Sequence, residues 1–383
     1  MSDVLVLGCG LIGTSVGLAL RGVQDVTLHD SSPEVLATAL ARGAGRAWDG
    51  AEPAAMVVVA VPPSVTAGVL AEVQRLGVGQ TYTHVASVQS HVQAEVEALS
   101  CNASAVVGSH PLAGRETSGP SAARADLFAG RPWAVCPSGS STPAAVTAVR
   151  ALVEACGGVP VEVTAAEHDG AVALLSHLPQ VAASALAGLL VASGTSDTDG
   201  GHAGIAARTA GLSGPGLADT TRLAASDAAL WTEILRLNAP QLAPVVQALA
   251  AELLDLHAAL EVLAADAGDA AGTARRVGGD AAQAVGAVEA FLRRGNAGRA
   301  LVPVKRGGLS DAFAPVGVVV DDAPGRLASL FATAGAAQVN VEDVRVEHLP
   351  GRPTGVIELL VGTDAIARLR TALAADGWRL VED

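Results

Sequence analysis

The chain has 383 residues, enough for two or three domains and a sizeable core. Half of them are hydrophobic but only 2% aromatic, so the core must be built largely from Ala, Val and Leu. A formal charge of -14 argues against a nucleic-acid partner, and it makes any anionic ligand depend on locally placed arginines.

Gly, Pro, Asp or Arg interrupts each apolar run, which predicts no membrane-spanning segment. The N-terminus reads as the first strand of a fold, leaving no room for a signal peptide. Cys9, Cys101, Cys136 and Cys156 are scattered, with neither metal-ligand spacing nor a disulfide framework. Together these features predict a cytoplasmic, reduced protein with no metal.

The first predicted element is the apolar strand Ser2 to Leu7, followed at once by Gly8-Cys9-Gly10-Leu11-Ile12-Gly13 and a helical run from Thr14 to Leu20. A second strand, Val26 to His29, ends at Asp30. This order supplies a tight glycine turn, an open backbone for a pyrophosphate at a helix N-terminus, and a carboxylate about 20 residues on for a ribose diol. A GxGxxG alone is weak; between a strand and a helix, with an acid closing the next strand, it is strong. The candidate cofactor contacts are Gly8, Gly10, Leu11, Ile12, Gly13 and Asp30, with Val61 and Pro62 at the end of the run Met56–Val61. Asp30 favours NAD, because a carboxylate repels the 2′-phosphate of NADP.

Further apolar runs follow at Thr83–Val88, Ala105–Val107 and Trp133–Val135, alternating with amphipathic stretches. Residues 1–164 therefore read as a Rossmann-type α/β domain with a mostly parallel sheet. Within it, Val107 to Gly119 forms a loop rich in glycine and small residues after a strand. His110 in that loop is either a general base or a histidine hydrogen-bonded for structure, and its place beyond a strand end favours the base.

Residues 165–300 are Ala-rich with Leu and Val at helical spacing, predicting an all-α domain with helices over 171–193, 218–237, 242–265 and 279–294. Gly194 to Gly201 reads as a loop. Such a domain either supplies substrate contacts and a subunit interface or is a self-contained bundle. His168 and His177 lie about two helical turns apart and need not share a face. His177 sits where the helix would meet the first domain, as a functional group or as a satisfied junction residue. Arg222, flanked by small and apolar residues, suits a carboxylate better than a solvated face.

Residues 301–311 read as a linker. Residues 312–383 run strand, helix, strand, strand, helix, strand, the ferredoxin-like βαββαβ order.

These segments together resemble the prephenate/arogenate dehydrogenase (TyrA) family. The resemblance rests on the GxGxxG start, Ser87-Val88, the HPxAGxExSG-like loop at His110, Ser176-His177-Leu178-Pro179, and the DxTRxA segment at Asp219. It implies that His110 accepts the proton of a ring hydroxyl, that Ser87 contacts that hydroxyl and the nicotinamide, and that His177 joins them. It also implies that Arg222 grips a substrate carboxylate and that Glu116 stands near the pocket mouth; Arg115 beside it could favour a keto-acid carboxylate. The implied reaction is NAD-dependent oxidative decarboxylation of prephenate to 4-hydroxyphenylpyruvate in tyrosine synthesis, with arogenate as the alternative substrate. The sequence departs from the family pattern at His84, Gln89, Gln180 and Ala218, which bears on the anion site and so on substrate preference.

Residues 312–383 resemble an ACT domain, through Asp321-Asp322-Ala323-Pro324-Gly325-Arg326-Leu327 and Val339-Asn340-Val341. That resemblance implies an amino-acid effector near Gly325 and Asn340, with tyrosine as the obvious end product, or else a module serving only dimerisation. A homodimer is expected. A β-hydroxyacid dehydrogenase would want a catalytic Lys in residues 165–300, and there is none. A non-catalytic NAD or amino-acid sensor would not need the intact set His110, His177 and Arg222.

Overall fold

The computed structural model describes residues 2–113, 118–192, 212–269, 279–302, 312–348 and 354–381. Eight strands come first: β1 (Ser2–Leu7), β2 (Val26–His29), β3 (Arg46–Ala47), β4 (Ala54–Val59), β5 (Gly79–His84), β6 (Val106–Pro111), β7 (Pro132–Pro137) and β8 (Val159–Glu162). They form one sheet in the order β3-β2-β1-β4-β5-β6-β7-β8, parallel throughout except for the antiparallel pair β6 and β7. Five helices connect them: α1 (Leu11–Ala19), α2 (Pro33–Ala41), α3 (Pro63–Leu76), α4 (Ser90–Ala98) and α5 (Pro143–Ala155).

The central strands read as continuous apolar runs because both faces are covered. Val4, Val6, Met56 and Val58 enter one core, while Leu5, Leu7, Val57 and Val59 enter the other. Each such side chain, taken fully out of water, stabilises the fold by about 1.5–3 kcal/mol. Strand order reverses between β1 and β4, so the crevice beyond their C-terminal ends is the switch point where such sheets bind ligands. The doubly wound reading of the first domain is correct.

Pairing of β5 stops at His84, which corrects the expected strand Thr83–Val88. Ser87 therefore lies on the turn into α4, where a side chain can reach a ligand.

Beyond β8 the chain is helical. α6 (Ala165–Val172) starts with a capping box, in which Thr164 and Glu167 satisfy each other's backbone N–H. It runs through a wide π turn, Ala173–His177, into α7 (Leu178–Ala192). The single helix expected over 218–237 is broken. Pro215–Thr221 ends in a 3-10 turn, Arg222–Ala225, and a new helix spans Ala228–Leu237. The cause is Asp227, whose carboxylate accepts the Leu230 N–H at 2.7 Å and makes a helix start more favourable than continuation. A longer helix, Ala239–Asp269, follows.

The expectation of no membrane-length run needs correction too. Ala165–Val191 is long and apolar enough to cross a membrane, by length and composition alone. Yet it carries His168, Asp169, His177 and Gln180 buried, and Asp169 is bonded to the start of α4. Those contacts bind the helix to the nucleotide-binding layer.

The chain divides into two compact units, 1–250 and 251–383. The second contains the helix Gly279–Ala300 and a four-stranded antiparallel sheet of β9 (Phe313–Asp321), β10 (Val341–His348), β11 (Thr354–Gly362) and β12 (Arg379–Leu380). The sheet order is β10-β11-β9-β12, with helices Arg326–Ala336 and Ile366–Ala375 as the connections. This is the expected βαββαβ topology. β11 alternates buried and half-buried residues, as a sheet covered on one face should. The expected loop 194–201 and linker residues 303–311 lie outside the described residues.

Candidate active site

The turn after β1 needs its glycines for two reasons. Gly8 has φ +92°, and a Cβ there would meet the Ala60 carbonyl oxygen at 2.5 Å; a Cβ on Gly13 would lie 1.9 Å from the Gly8 oxygen. Gly10 has open space where a Cβ would project, so a phosphate can approach the backbone there. No side chain caps α1 at Gly10, leaving the first N–H groups of the helix for a ligand. Leu11 and Ile12 pack against the core and remain half-buried. A cavity of about 910 Å³ opens beside this turn, with Gly8, Asp30, Val61, Pro62 and Trp48 on its walls. Asp30 accepts the Cys9 N–H at 2.7 Å and the Ser32 N–H at 2.8 Å, which fixes the carboxylate and leaves it further acceptor capacity. The residues present fit a dinucleotide.

On the same sheet, β6 carries His110 at its C-terminal end, half-buried and paired with Ala134, which corrects the expected loop beginning at Val107. His110 Nδ1 lies 2.9 Å from His168 Nε2, and His168 Nδ1 lies 2.8 Å from Asp169 Oδ1. Asp169 also accepts the N–H groups of Gln89 and Ser90, at the start of α4, each at 2.8 Å. A helix N-terminus favours a negative charge, and the ionised carboxylate can only accept. That fixes the protons in sequence. His168 donates from Nδ1 and accepts at Nε2; His110 therefore donates from Nδ1, and its Nε2 keeps the lone pair. The chain of contacts makes His110 Nε2 the basic atom.

A second chain fixes His177. The Asn238 amide nitrogen donates to the Asp169 carbonyl at 2.9 Å and lies 3.0 Å from His177 Nδ1. Since that nitrogen must be the donor, His177 Nδ1 accepts and its Nε2 carries the proton. Trp231 stands edge-on to the ring, with centroids 5.9 Å apart. The site thus pairs one imidazole that accepts a proton with one that offers a hydrogen bond.

Burial holds His110, His177 and His84 neutral. His110 is held down to about 3 by burial, then by His168 and His177, against the pull of Asp169, with His84 adding a little. His177 is held at about 4 by burial first, with Asp169 opposing and His168 adding. His84 is also held at about 4, by burial and then His168, against Asp169. Burial pushes the Asp169 carboxyl up, but hydrogen bonds from His168, Gln89 and Ser90 outweigh it and leave it below the usual carboxylate range.

The structure brings together His110 and His177 of the residues read from sequence, with Ser87 half-buried on the adjoining turn. Arg222 opens the 3-10 turn that packs on α7, and its side chain is exposed. Arg115 and Glu116 lie outside the described residues. Gln180, one turn beyond His177, is buried; its amide nitrogen donates to Ser184 and its oxygen has no partner among the described residues. Ala218 is exposed. In the second unit Gly325 has φ +84° and lines a cavity of about 330 Å³, whereas Asn340 is not on its lining and donates to Glu342.

Sequence reasoning groups His168 and Asp169 with His177 but assigns them no role, and it misses Asn238. Nine residues at about 100° each put His168 and His177 on opposite faces of a regular helix. The π turn absorbs one residue, so the spacing acts as eight and the angle falls to about 80°. The signal available was the adjacent pair His168-Asp169, an imidazole beside an acid.

A family model described as "Prephenate dehydrogenase, nucleotide-binding domain" matches residues 16–162, and one described as "Prephenate dehydrogenase, dimerization domain" matches residues 164–269. The "Probable prephenate dehydrogenase NovF" of Streptomyces niveus is 39% identical over 366 residues, covering 94% of each chain. The cyclohexadienyl dehydrogenase of Zymomonas mobilis is 32% identical over 270 residues, 67% of this chain and 88% of that one. Among solved structures, prephenate dehydrogenase from A. aeolicus in complex with hydroxyphenyl propionate and NAD+ superposes with a TM-score of 0.62. It is 22% identical and covers 78% of this chain and 98% of its own, a likeness of fold.

Proposed function

The chain belongs to the prephenate dehydrogenase family of NAD-dependent oxidoreductases, and from that premise we propose that it converts prephenate to 4-hydroxyphenylpyruvate. The observation that supports this reading is the Asp169–His168–His110 chain, which leaves a neutral base at the C-terminal end of β6, in the same sheet as the glycine turn. NAD+ held at Gly8–Gly13 and Asp30 supplies the hydride acceptor. His110 Nε2 takes the hydroxyl proton as the C4 hydride leaves, and the C4 carbonyl forms. Loss of the ring carboxylate as CO2 then passes its bonding electrons into the ring, and His110 returns the proton to the phenolic oxygen. Aromatisation drives the sequence, so the protein chiefly orients the substrate and holds its charges.

In this reading Ser87 contacts the hydroxyl and the nicotinamide, and His177 Nε2–H donates to the substrate. Arg222 binds a substrate carboxylate, with Arg115 and Glu116 at the pocket mouth. The working chain is a cytoplasmic homodimer. The exposed leucines Leu174, Leu175, Leu186, Leu189 and Leu190, within the segment matching a dimerization domain, support a second copy. The proposed domains are 1–164 for NAD, 165–300 for substrate and dimerisation, a linker 301–311, and 312–383 as an ACT-type regulatory module.

The test is NADH formation by the purified chain with NAD+ and either prephenate or arogenate. Prephenate is expected to turn over; exclusive use of arogenate would replace it as substrate, and silence with both would end the enzymatic reading. Tyrosine is expected to inhibit the full chain but not one ending near residue 305. Unchanged inhibition after truncation would remove the C-terminal module as sensor.

A further inference from the structure

The groups assigned to the chemistry sit on three separate segments, and one residue bonds to all three. Gln89 is 1% exposed. Its side-chain Nε2 donates to the Ala86 carbonyl at 2.6 Å and to the Ser109 carbonyl at 3.0 Å, and its backbone N–H donates to Asp169 Oδ1 at 2.8 Å. Ala86 precedes Ser87, Ser109 precedes His110, and Asp169 follows His168. Both side-chain acceptors are carbonyl oxygens, so the amide fits one way only; turned over, its oxygen would face two acceptors.

Other bonds nearby do less. Ser109 Oγ donates to the His84 carbonyl at 2.9 Å and Thr83 Oγ1 donates to Ser109 Oγ at 3.1 Å. Those bonds join β5 to β6 but reach neither the Ser87 turn nor α6. Gly108 makes room for the amide, since a Cβ there would lie 2.2 Å from Gln89 Oε1. A neutral donor with two hydrogens is what two converging carbonyls need, and a buried pair of carbonyls left unmatched would be costly.

We propose that Gln89 is a positioning residue for the reaction, setting the Ser87 turn and the His110 strand against each other and against the Asp169 that orients the relay. The inference rests, for its kinetic test, on the oxidative-decarboxylation reading above. Gln89→Met keeps the length of the side chain and removes its donors, Gln89→Lys keeps a donor of similar reach, and Gly108→Ala leaves residue 89 as Gln but pushes a methyl group into its amide and against the His84 ring.

With the full chain, NAD+ and prephenate, Gln89→Met is expected to lose about 10–100-fold in kcat, with KM and NAD+ affinity within about threefold of wild type. The acid limb of kcat should move up toward the ordinary imidazole range, because a loosened loop admits water to His110. The groups around that ring are His84 from β5, His168 and Asp169 from α6, and His177 from the π turn. Gln89→Lys should recover most of the lost kcat, and Gly108→Ala should behave as Gln89→Met. The proposal is overturned by a Gln89→Met kcat within about threefold of wild type, by equal losses in the Met and Lys variants, or by a fall in kcat with an unmoved acid limb.

If neither prephenate nor arogenate turns over, the functional reading fails alone, because NMR of the histidine ring nitrogens still reads the tie. Gln89→Met then shifts the His110 and His168 signals if Gln89 positions them, and unmoved signals overturn the proposal.

Discussion

Asp169 shares its charge among three donors, and two of them belong to a different element from its own. Replacing it by Asn keeps the shape but allows an N–H to face His168 Nδ1. In that orientation, which also sets the amide nitrogen against the Gln89 N–H, the proton pattern runs backwards, with His168 accepting at Nδ1, donating from Nε2 and placing the His110 proton on Nε2. In the other orientation the nitrogen opposes the Ser90 N–H, and the charge that fixes the His168 tautomer is gone. On that argument Asp169→Asn should cut kcat by about 10²–10⁴-fold, the scale of a lost general base or a wrong tautomer. His110→Ala should match it, with NAD+ affinity nearly unchanged in both. Steady-state kinetics with a parallel NAD+ titration check this, and an Asp169→Asn kcat within about threefold of wild type would remove the relay from the mechanism. At this scale the sequence was partly legible. His110 and His177 stand out because rare imidazoles sit in punctuated segments with strand and helix context. His168 and Asn238 do not, because their partners lie 58 and 61 residues away and only packing brings them together.

The elements around the site were legible where periodicity decides them. Strands buried on both faces give unbroken Val and Leu runs, and the glycine turn is written in the backbone demands of Gly8 and Gly13. The π turn is not legible, because no residue type demands it. It does have a testable geometry. Since Ala173–His177 absorbs one residue, deleting the exposed Leu175 lets α6 and α7 join as one regular helix while His168 and His177 keep their angle. That deletion should leave kcat within about tenfold of wild type, whereas inserting one Ala at the same place turns His177 by about 100° and should abolish turnover. Kinetics on the two variants, with circular dichroism to follow helix content, decide it. Equal losses would mean that the turn does not set the register. The broken helix at Arg222 follows a rule that was available, the preference of Asp227 for a helix start, but apolar spacing on both sides concealed it.

Across the whole molecule, the imidazoles held neutral in the fold make stability depend on pH. His84, His110 and His177 are held near 4, 3 and 4 in the folded state, below the ordinary 6.5. Between about pH 6.5 and 4 the unfolded chain therefore binds protons that the native chain refuses. The sign follows: the folded state loses stability as pH falls through that window and is unaffected by these groups above it. His84 isolates the effect, because it is buried and stands outside the His110–His168–Asp169 chain of hydrogen bonds. Each such histidine contributes a slope of about 1.4 kcal/mol per pH unit while it is charged only when unfolded. Urea unfolding measured from pH 7 to pH 4.5 should give a shallower fall for His84→Gln than for wild type, by about one proton's worth. Identical slopes would mean that His84 takes up its proton in the folded protein, and the neutral environment assigned to the site would have to be given up with it.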